Sequence, residues 1–164
     1  MTADNPSGDA RFEDAAERPL RLRAEAAQDV PVLAALVQDA VLTAGDMSWQ
    51  PKLRRLAFLV NRFRWEDREA AEARGRPYER VRAVLIIGGV THVASQGIDR
   101  HDRDEVLSIL DLAWIPGEDA AGAVEVTLAG DGAVRAEVEC LDLTLSDVTR
   151  PYLAPSHRAP DHPG

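Results

Sequence analysis

The sequence predicts an α+β domain: an antiparallel, strand-rich meander of seven to eight strands, barrel-like or two-layered, with one N-terminal helix. Three observations lead there. Apolar and polar residues alternate along 20–24, 124–128 and 134–140, which is the period of a half-buried strand, and 80–88 reads as a strand with Val81, Ala83, Leu85 and Ile87 on one side and Val84 and Ile86 on the other. Glycine-bearing stretches such as Gly88-Gly89 and Gly130-Asp131-Gly132 follow or separate these runs and suit tight turns. Helical spacing is clear only for Val30, Leu33, Leu36, Val37, Ala40 and Val41. With 164 residues, one domain is expected. A chain of that size buries roughly 70% of its unfolded surface without staples.

Residues 1–19 and 154–164 read as disordered tails, because neither offers enough apolar burial to offset its ordering entropy. The single domain is 20–153. Leu20, Leu22 and Ala24 alternate with Arg21 and Arg23 as a first strand. In the helix that follows, Asp29 is a candidate cap and Pro31 is tolerated in the first turn. Val41-Leu42-Thr43 suits a strand that turns at Gly45-Asp46 and returns through Met47 to Gln50. Leu56 to Val60 is apolar in both alternating sets. This predicts a central strand covered on both sides that emerges into solvent at Arg62 to Trp65. Residues 66–79 lack an apolar face and read as a mobile loop.

Gly88-Gly89 suits a hairpin between the strand at 80–88 and its return through 90–96, followed by a polar connection at 97–104. Val106 to Ile115 is a further strand. The next two strands place Val124, Val126 and Leu128, then Val134, Ala136, Val138 and Cys140, on one face of a hairpin whose other face is wet. The apolar phase flips at Cys140-Leu141, so a bulge or short helix is expected there to keep Leu141, Leu143 and Leu145 inside. Seven strands and a terminal helix suit a pleckstrin-homology-like roll with an added strand and helix in front.

The net charge of -9 argues against a general nucleic-acid binder or a protein that lies on anionic membranes, while leaving room for a local basic patch. Lys52 is the only lysine among 19 basic residues, a bias read first as base composition of the genome. Met1 to Arg18 carries acidic residues and no apolar run, unlike a signal peptide or anchor. Cys140 is the sole cysteine; its neighbours Val138 and Leu141 suggest a small buried hydrophobe and a reducing, cytoplasmic setting.

Four stretches carry a likeness to a known family: Gly45-Asp46-Met47-Ser48-Trp49, Asn61-Arg62-Phe63-Arg64-Trp65, Ser95-Gln96-Gly97-Ile98-Asp99-Arg100 and Glu137-Val138-Glu139-Cys140-Leu141-Asp142. In that order the chain resembles a family of small alphaproteobacterial proteins filed as a domain of unknown function, over about residues 20–153. The resemblance implies a bacterial cytoplasmic protein and no known activity, cofactor or catalytic residue.

Candidate binding residues are Trp49, Arg62, Arg64, Trp65, Asp99 and Arg100. Arginines interleaved with aromatics suit a carboxylate, a phosphate or an acidic peptide, because the guanidinium fork grips oxyanions bidentately. The plainer reading pairs Arg62 and Arg64 with Glu66 and Asp67 on a solvated face. His101 among Asp99, Asp102 and Asp104 has the residue types of a base or a metal ligand, but contiguous loop residues rarely converge on one ion, so a charged loop is expected. His92 reads as a partly buried, hydrogen-bonded side chain, and the tryptophans as core. No G-x-G-x-x-G, Walker loop, G-x-S-x-G, H-E-x-x-H or C-x-x-C occurs.

No catalytic residue, cofactor or metal is therefore expected. The leading expectation is a non-enzymatic module that binds a protein or peptide partner through a rim of Trp49, Arg62, Arg64 and Trp65. The rivals are a small enzyme or small-anion binder using Arg62, Arg64, His92, Asp99 and Arg100, and a structural oligomer subunit. The sequence is silent on oligomeric state.

Overall fold

A computed structural model describes residues 19–99, 101–153 and 160. The expected tails fall almost wholly outside the described residues, as does Arg100. In chain order the elements are β1 (Arg21–Ala24), α1 (Val30–Val37), β2 (Val41–Thr43), β3 (Met47–Gln50), β4 (Arg55–Phe63), α2 (Arg68–Arg74), β5 (Glu79–Ile87), β6 (Val90–Gln96), β7 (Val106–Pro116), β8 (Gly122–Leu128), β9 (Gly132–Val138), β10 (Leu143–Asp147) and β11 (Tyr152–Leu153). The strand-rich, antiparallel character matches expectation. The count differs: eleven strands and two helices among the described residues. No helix there is long and apolar enough to cross a membrane.

The strands follow the order β1-β10-β5-β4-β2-β7-β8-β9-β6, with β3 beside β4 and β11 beside β5. Every pairing is antiparallel. The sheet folds over at the short β2, which pairs with β4 on one edge and β7 on the other. A first layer (β1, β10, β5, β4, β3) thereby shares a core with a second (β7, β8, β9, β6). Leu56, Phe58, Val60, Leu85, Ile87, Leu143 and Leu145 come inward from the first, and Leu112, Val124, Val126, Val134 and Ala136 from the second. Helix α1 packs Val30, Leu33 and Val37 into the same cluster against β7 and β4. Asp29 at its start makes no side-chain cap.

Several expected connections take another form. β2 and β3 do not pair with each other; both lie against β4, joined by a turn in which the Asp46 carboxylate accepts from Thr43 N–H and Oγ1. β5 and β6 do not form a hairpin either. At Gly88-Gly89 the chain leaves the first layer, and β6 pairs with β9 in the second. The return crossing, from β9 to β10, runs alongside: Gly88 N–H donates to Asp142 O at 2.8 Å and Glu139 N–H to Gly89 O at 3.0 Å. A Cβ at position 88 would meet only the end of the Asp142 side chain, at 2.8 Å, whereas Gly89 has φ +67°, so the crossing's need for glycine falls on position 89.

The same crossing resolves the phase flip at Cys140-Leu141. The chain changes layers rather than bulging or coiling, and strand β10 stands where a terminal helix was expected. Cys140 is exposed, not buried. The 66–79 segment is not a loop throughout but contains helix α2 (Arg68–Arg74), anchored by buried Ala71 and stopped by Gly75 at φ +63°. The hairpin of β8 and β9 forms as expected, with Val124, Val126, Val134 and Ala136 buried.

Over Leu56 to Val60, strand β4 is covered on its inner side only; its outer side is closed at Phe63, 0% exposed. Phe58 is 0% exposed, whereas Leu59 is half-buried on the outer face. Phe58→Ala should cost about 3–5 kcal/mol and Leu59→Ala no more than about 1 kcal/mol in urea titrations; equal losses would mean that the outer face is covered.

Candidate functional site

The arginine-aromatic stretch at the end of β4 is built inward. Arg62 continues the core-facing set Leu56, Phe58 and Val60, sits opposite Val81 of β5, and is 0% exposed. Each of the five N–H groups of a guanidinium has an acceptor there. Nε donates to Asp147 Oδ1 (3.0 Å); Nη2 donates to Asp147 Oδ2 (3.1 Å) and Glu66 Oε2 (2.7 Å); Nη1 donates to Glu66 Oε1 (2.9 Å) and the Phe63 carbonyl (3.3 Å). Asp147 Oδ2 also accepts from Leu20 N–H at 2.9 Å, which ties in the approach to β1.

Arg64 is buried beside this cluster. It donates to Glu79 Oε1 and lies 3.7 Å from Asp67, which receives two 2.7 Å hydrogen bonds from Arg76. Aromatic rings close the corner: Phe63 meets Trp65 edge-on at 4.7 Å between centroids and Tyr78 at 5.5 Å. Trp65 Nε1 donates to the Gln38 carbonyl just after α1 (3.0 Å), and Arg68 lies over its ring.

The expectation that Arg62 and Arg64 stand in water is thus corrected. Burying a guanidinium is costly unless its donors are met, and here two carboxylates and a carbonyl meet them. The anticipated pairing with Glu66 and Asp67 exists, but it is sealed at the arginine end, and Arg62 has no donor left for a ligand. Burial works against the charge on Arg62, yet its hydrogen bonds to Glu66 and Asp147 outweigh it and hold the pKa above the ordinary value. Burial likewise opposes ionisation of Glu66 and Asp67, but hydrogen bonds from Arg62 and Arg76 respectively, with the neighbouring positive charges, hold both carboxyls below their ordinary values.

Trp49 belongs elsewhere. It pairs with Leu56, six positions before Arg62 on β4, a separation of about 20 Å along a strand. The rim drawn through Trp49, Arg62, Arg64 and Trp65 is therefore not one surface. Trp49 and Asp99 do come together, in a cleft of ≈ 400 Å³. Its lining comes from Met47 and Trp49 of β3, Val93 and Ser95 of β6, Leu56 of β4 and Val134 of β9, completed by Ala44, Ile98, Asp99 and Arg103.

Among the described residues β3 pairs only with β4 and β6 only with β9. The start of β6 is tied to the turn between β3 and β4, where Val90 N–H donates to the Arg54 carbonyl at 2.8 Å. Away from that contact the cleft separates β3 from β6, so the folded-over sheet stays open and does not close into a barrel. Arg103 is fixed at the mouth by the Gly45 N–H, which donates to its carbonyl at 2.8 Å, and Asp99 Oδ1 accepts from His101 N–H at 2.9 Å. Neither side chain forms an ion pair among the described residues. His92 is exposed on the outer face of β6 opposite Glu137, not partly buried. Arg62, Arg64, His92 and Asp99 do not converge. Among the described residues no group of three His, Cys, Asp or Glu is placed to hold a metal.

Most of the cleft escaped the sequence reading. The available signals were slight: Ile98 is the one large apolar residue in a polar connection, and Ser95 follows Val93 on the inward face of β6 where a second hydrophobe would close the core.

A family model described as a protein of unknown function, DUF2948, matches residues 20–162. The chain belongs to this family. Comparison with curated proteins gives no significant match, and neither does comparison with solved structures. For this DUF2948 protein, roles therefore have to come from geometry.

Two outcomes check the buried network. Arg62→Met, which strands Asp147, should destabilise the fold by about 3–5 kcal/mol, and Arg62→Met with Asp147→Leu should recover much of that in urea titrations. A double variant no better than the single one would show that the charges themselves are required. Because Glu66 is depressed in the folded chain, its contribution is complete above the ordinary carboxylate range, about pH 4–5, and disappears as pH falls through the lower folded value. The stability gap between the parent and Glu66→Gln should accordingly be constant near neutrality and shrink below about pH 4; a gap that widens there would invert the assignment.

Proposed function

We propose that this DUF2948 protein is a non-enzymatic peptide-binding module of the bacterial cytoplasm, taking an extended partner segment into the cleft between β3 and β6. The observation that carries the reading is the pair of strand edges, unpaired among the described residues, flanking an apolar cleft. A strand edge presents backbone donors and acceptors that an added strand can satisfy, and alternate side chains of that strand can sit in a pocket below. Leu56, Val93, Val134 and Ile98 offer the apolar part of such a pocket, and Trp49, 38% exposed, offers an aromatic wall. Asp99 and Arg103 give polar contacts of both signs. The exposed thiol of Cys140 suits a reducing compartment.

A second reading is a small amphipathic ligand in the same cleft, since ≈ 400 Å³ lies within the usual range of small-molecule pockets. Peptides selected by display against the full chain decide between them. For the peptide reading, Ser95→Trp, which fills the cleft from a side chain already exposed, should weaken selected peptides at least about tenfold, or about 1.4 kcal/mol. N-methylation of alternate peptide residues should do the same while methylation of the residues between is tolerated. Selected peptides indifferent to both changes would remove the reading. A mass that doubles with concentration, and halves in Ser95→Trp, would point instead to copies pairing edge to edge as an oligomer subunit.

A further inference from the structure

The outer face of the first layer differs in charge from the rest of this acidic chain. Strand register places Arg23, Thr144, Ile86 and Ala57 in one row across β1, β10, β5 and β4, and Arg21, Ser146, Val84 and Leu59 in the next. Arg82 precedes Val84 along β5, and Arg55 precedes Ala57 along β4. The result is an apolar centre of Ala57, Leu59, Val84 and Ile86, half-buried, with exposed arginines beyond it on three sides. Arg23 is engaged by Asp142 and Glu25, and Arg55 by Gln50. Among the described residues Arg21 and Arg82 make no ion pair. On the outer face of the second layer the balance reverses: Asp111, Glu125 and Glu137 stand there against Arg135.

A concentration of guanidinium groups on one face of a chain with 28 acidic and 19 basic residues raises the local potential against the overall field. We propose that this face docks an acidic segment of a partner protein that also carries aliphatic side chains. Carboxylates of the segment meet Arg21 and Arg82, whose forks bind oxyanions bidentately, and its aliphatic groups cover Leu59, Val84 and Ile86. Nucleic acid fits less well: the net charge of -9 repels a polyanion at longer range, and phosphates leave the apolar centre uncovered. A second copy fits less well too. The complementary face lies on the opposite side of the molecule, so stacking copies gives an open, head-to-tail chain rather than a closed pair.

The test uses the full chain and two short blocked peptides of equal length, one with leucines spaced among glutamates and one of glutamate alone, at low ionic strength. The mixed peptide should bind about tenfold more tightly than the all-glutamate peptide and shift the methyl resonances of Leu59, Val84 and Ile86. Arg21→Glu with Arg82→Glu, both at exposed positions, should weaken it about tenfold or more; Arg135→Glu on the opposite face should leave it unchanged. Ser95→Trp should also leave it unchanged, which keeps this surface distinguishable from the cleft. Equal binding of the two peptides would reduce the face to unspecific charge. Shifts centred on Val93 and Ile98, displacement by a single-stranded oligonucleotide, or concentration-dependent growth of the free protein would each overturn the proposal.

Discussion

A single guanidinium sets the constraint on which the lower end of the first layer depends. Arg62 lies on the inner face of β4 with no access to water, and a charge in that position is tolerable only when its whole donor set is occupied. Asp147 at the end of β10 and Glu66 just beyond β4 occupy it, and Asp147 in turn holds the backbone where β1 begins. Four segments are brought to one point by this requirement. Because each hydrogen bond has a defined direction, the strands are held in register there as well as in proximity.

That closure explains why the most conspicuous stretch of the sequence is not a ligand site. The aromatic residues around Arg62 and Arg64 serve the same corner: Phe63 is buried, and Trp65 is tied through its indole N–H to the end of α1. At the opposite end of β4 the arrangement is reversed. The glycine corner at 88–89 sends β6 into the second layer, where it pairs with β9, and among the described residues β3 has no neighbour on its far edge. Among the described residues, the cleft is a region where strand edges and apolar side chains are both available.

Some of this was legible in advance. The β8–β9 hairpin follows from strict alternation, and α1 from apolar residues at helical spacing, since each depends on neighbours close in sequence. The mis-assigned turns are of another kind. Gly88-Gly89 permits a hairpin and a crossing between layers equally well, and only the 2.8 Å contact with Asp142, far along the chain, selects the crossing. For the buried pair a signal did exist. Arg62 continues the inward phase of Leu56, Phe58 and Val60, and Asp147 that of Leu143 and Leu145, so two opposite charges each extend an apolar set. Taken together, two such extensions mark partners; taken singly, each reads as the wet end of a strand.

By itself the sequence determined the antiparallel, strand-rich class, the position of the first helix, and, Cys140 apart, which residues of the β8–β9 hairpin lie inside. These are consequences of side-chain period, and period is a local property of the chain. Tertiary structure decided which strands are neighbours, that β6 leaves the first layer, and that two arginines interleaved with two aromatics, Phe63 and Trp65, are interior rather than exposed. Those outcomes turn on contacts such as Arg62 with Asp147, 85 residues apart, where the cost of an unmet buried charge selects one arrangement among several that alternation alone permits.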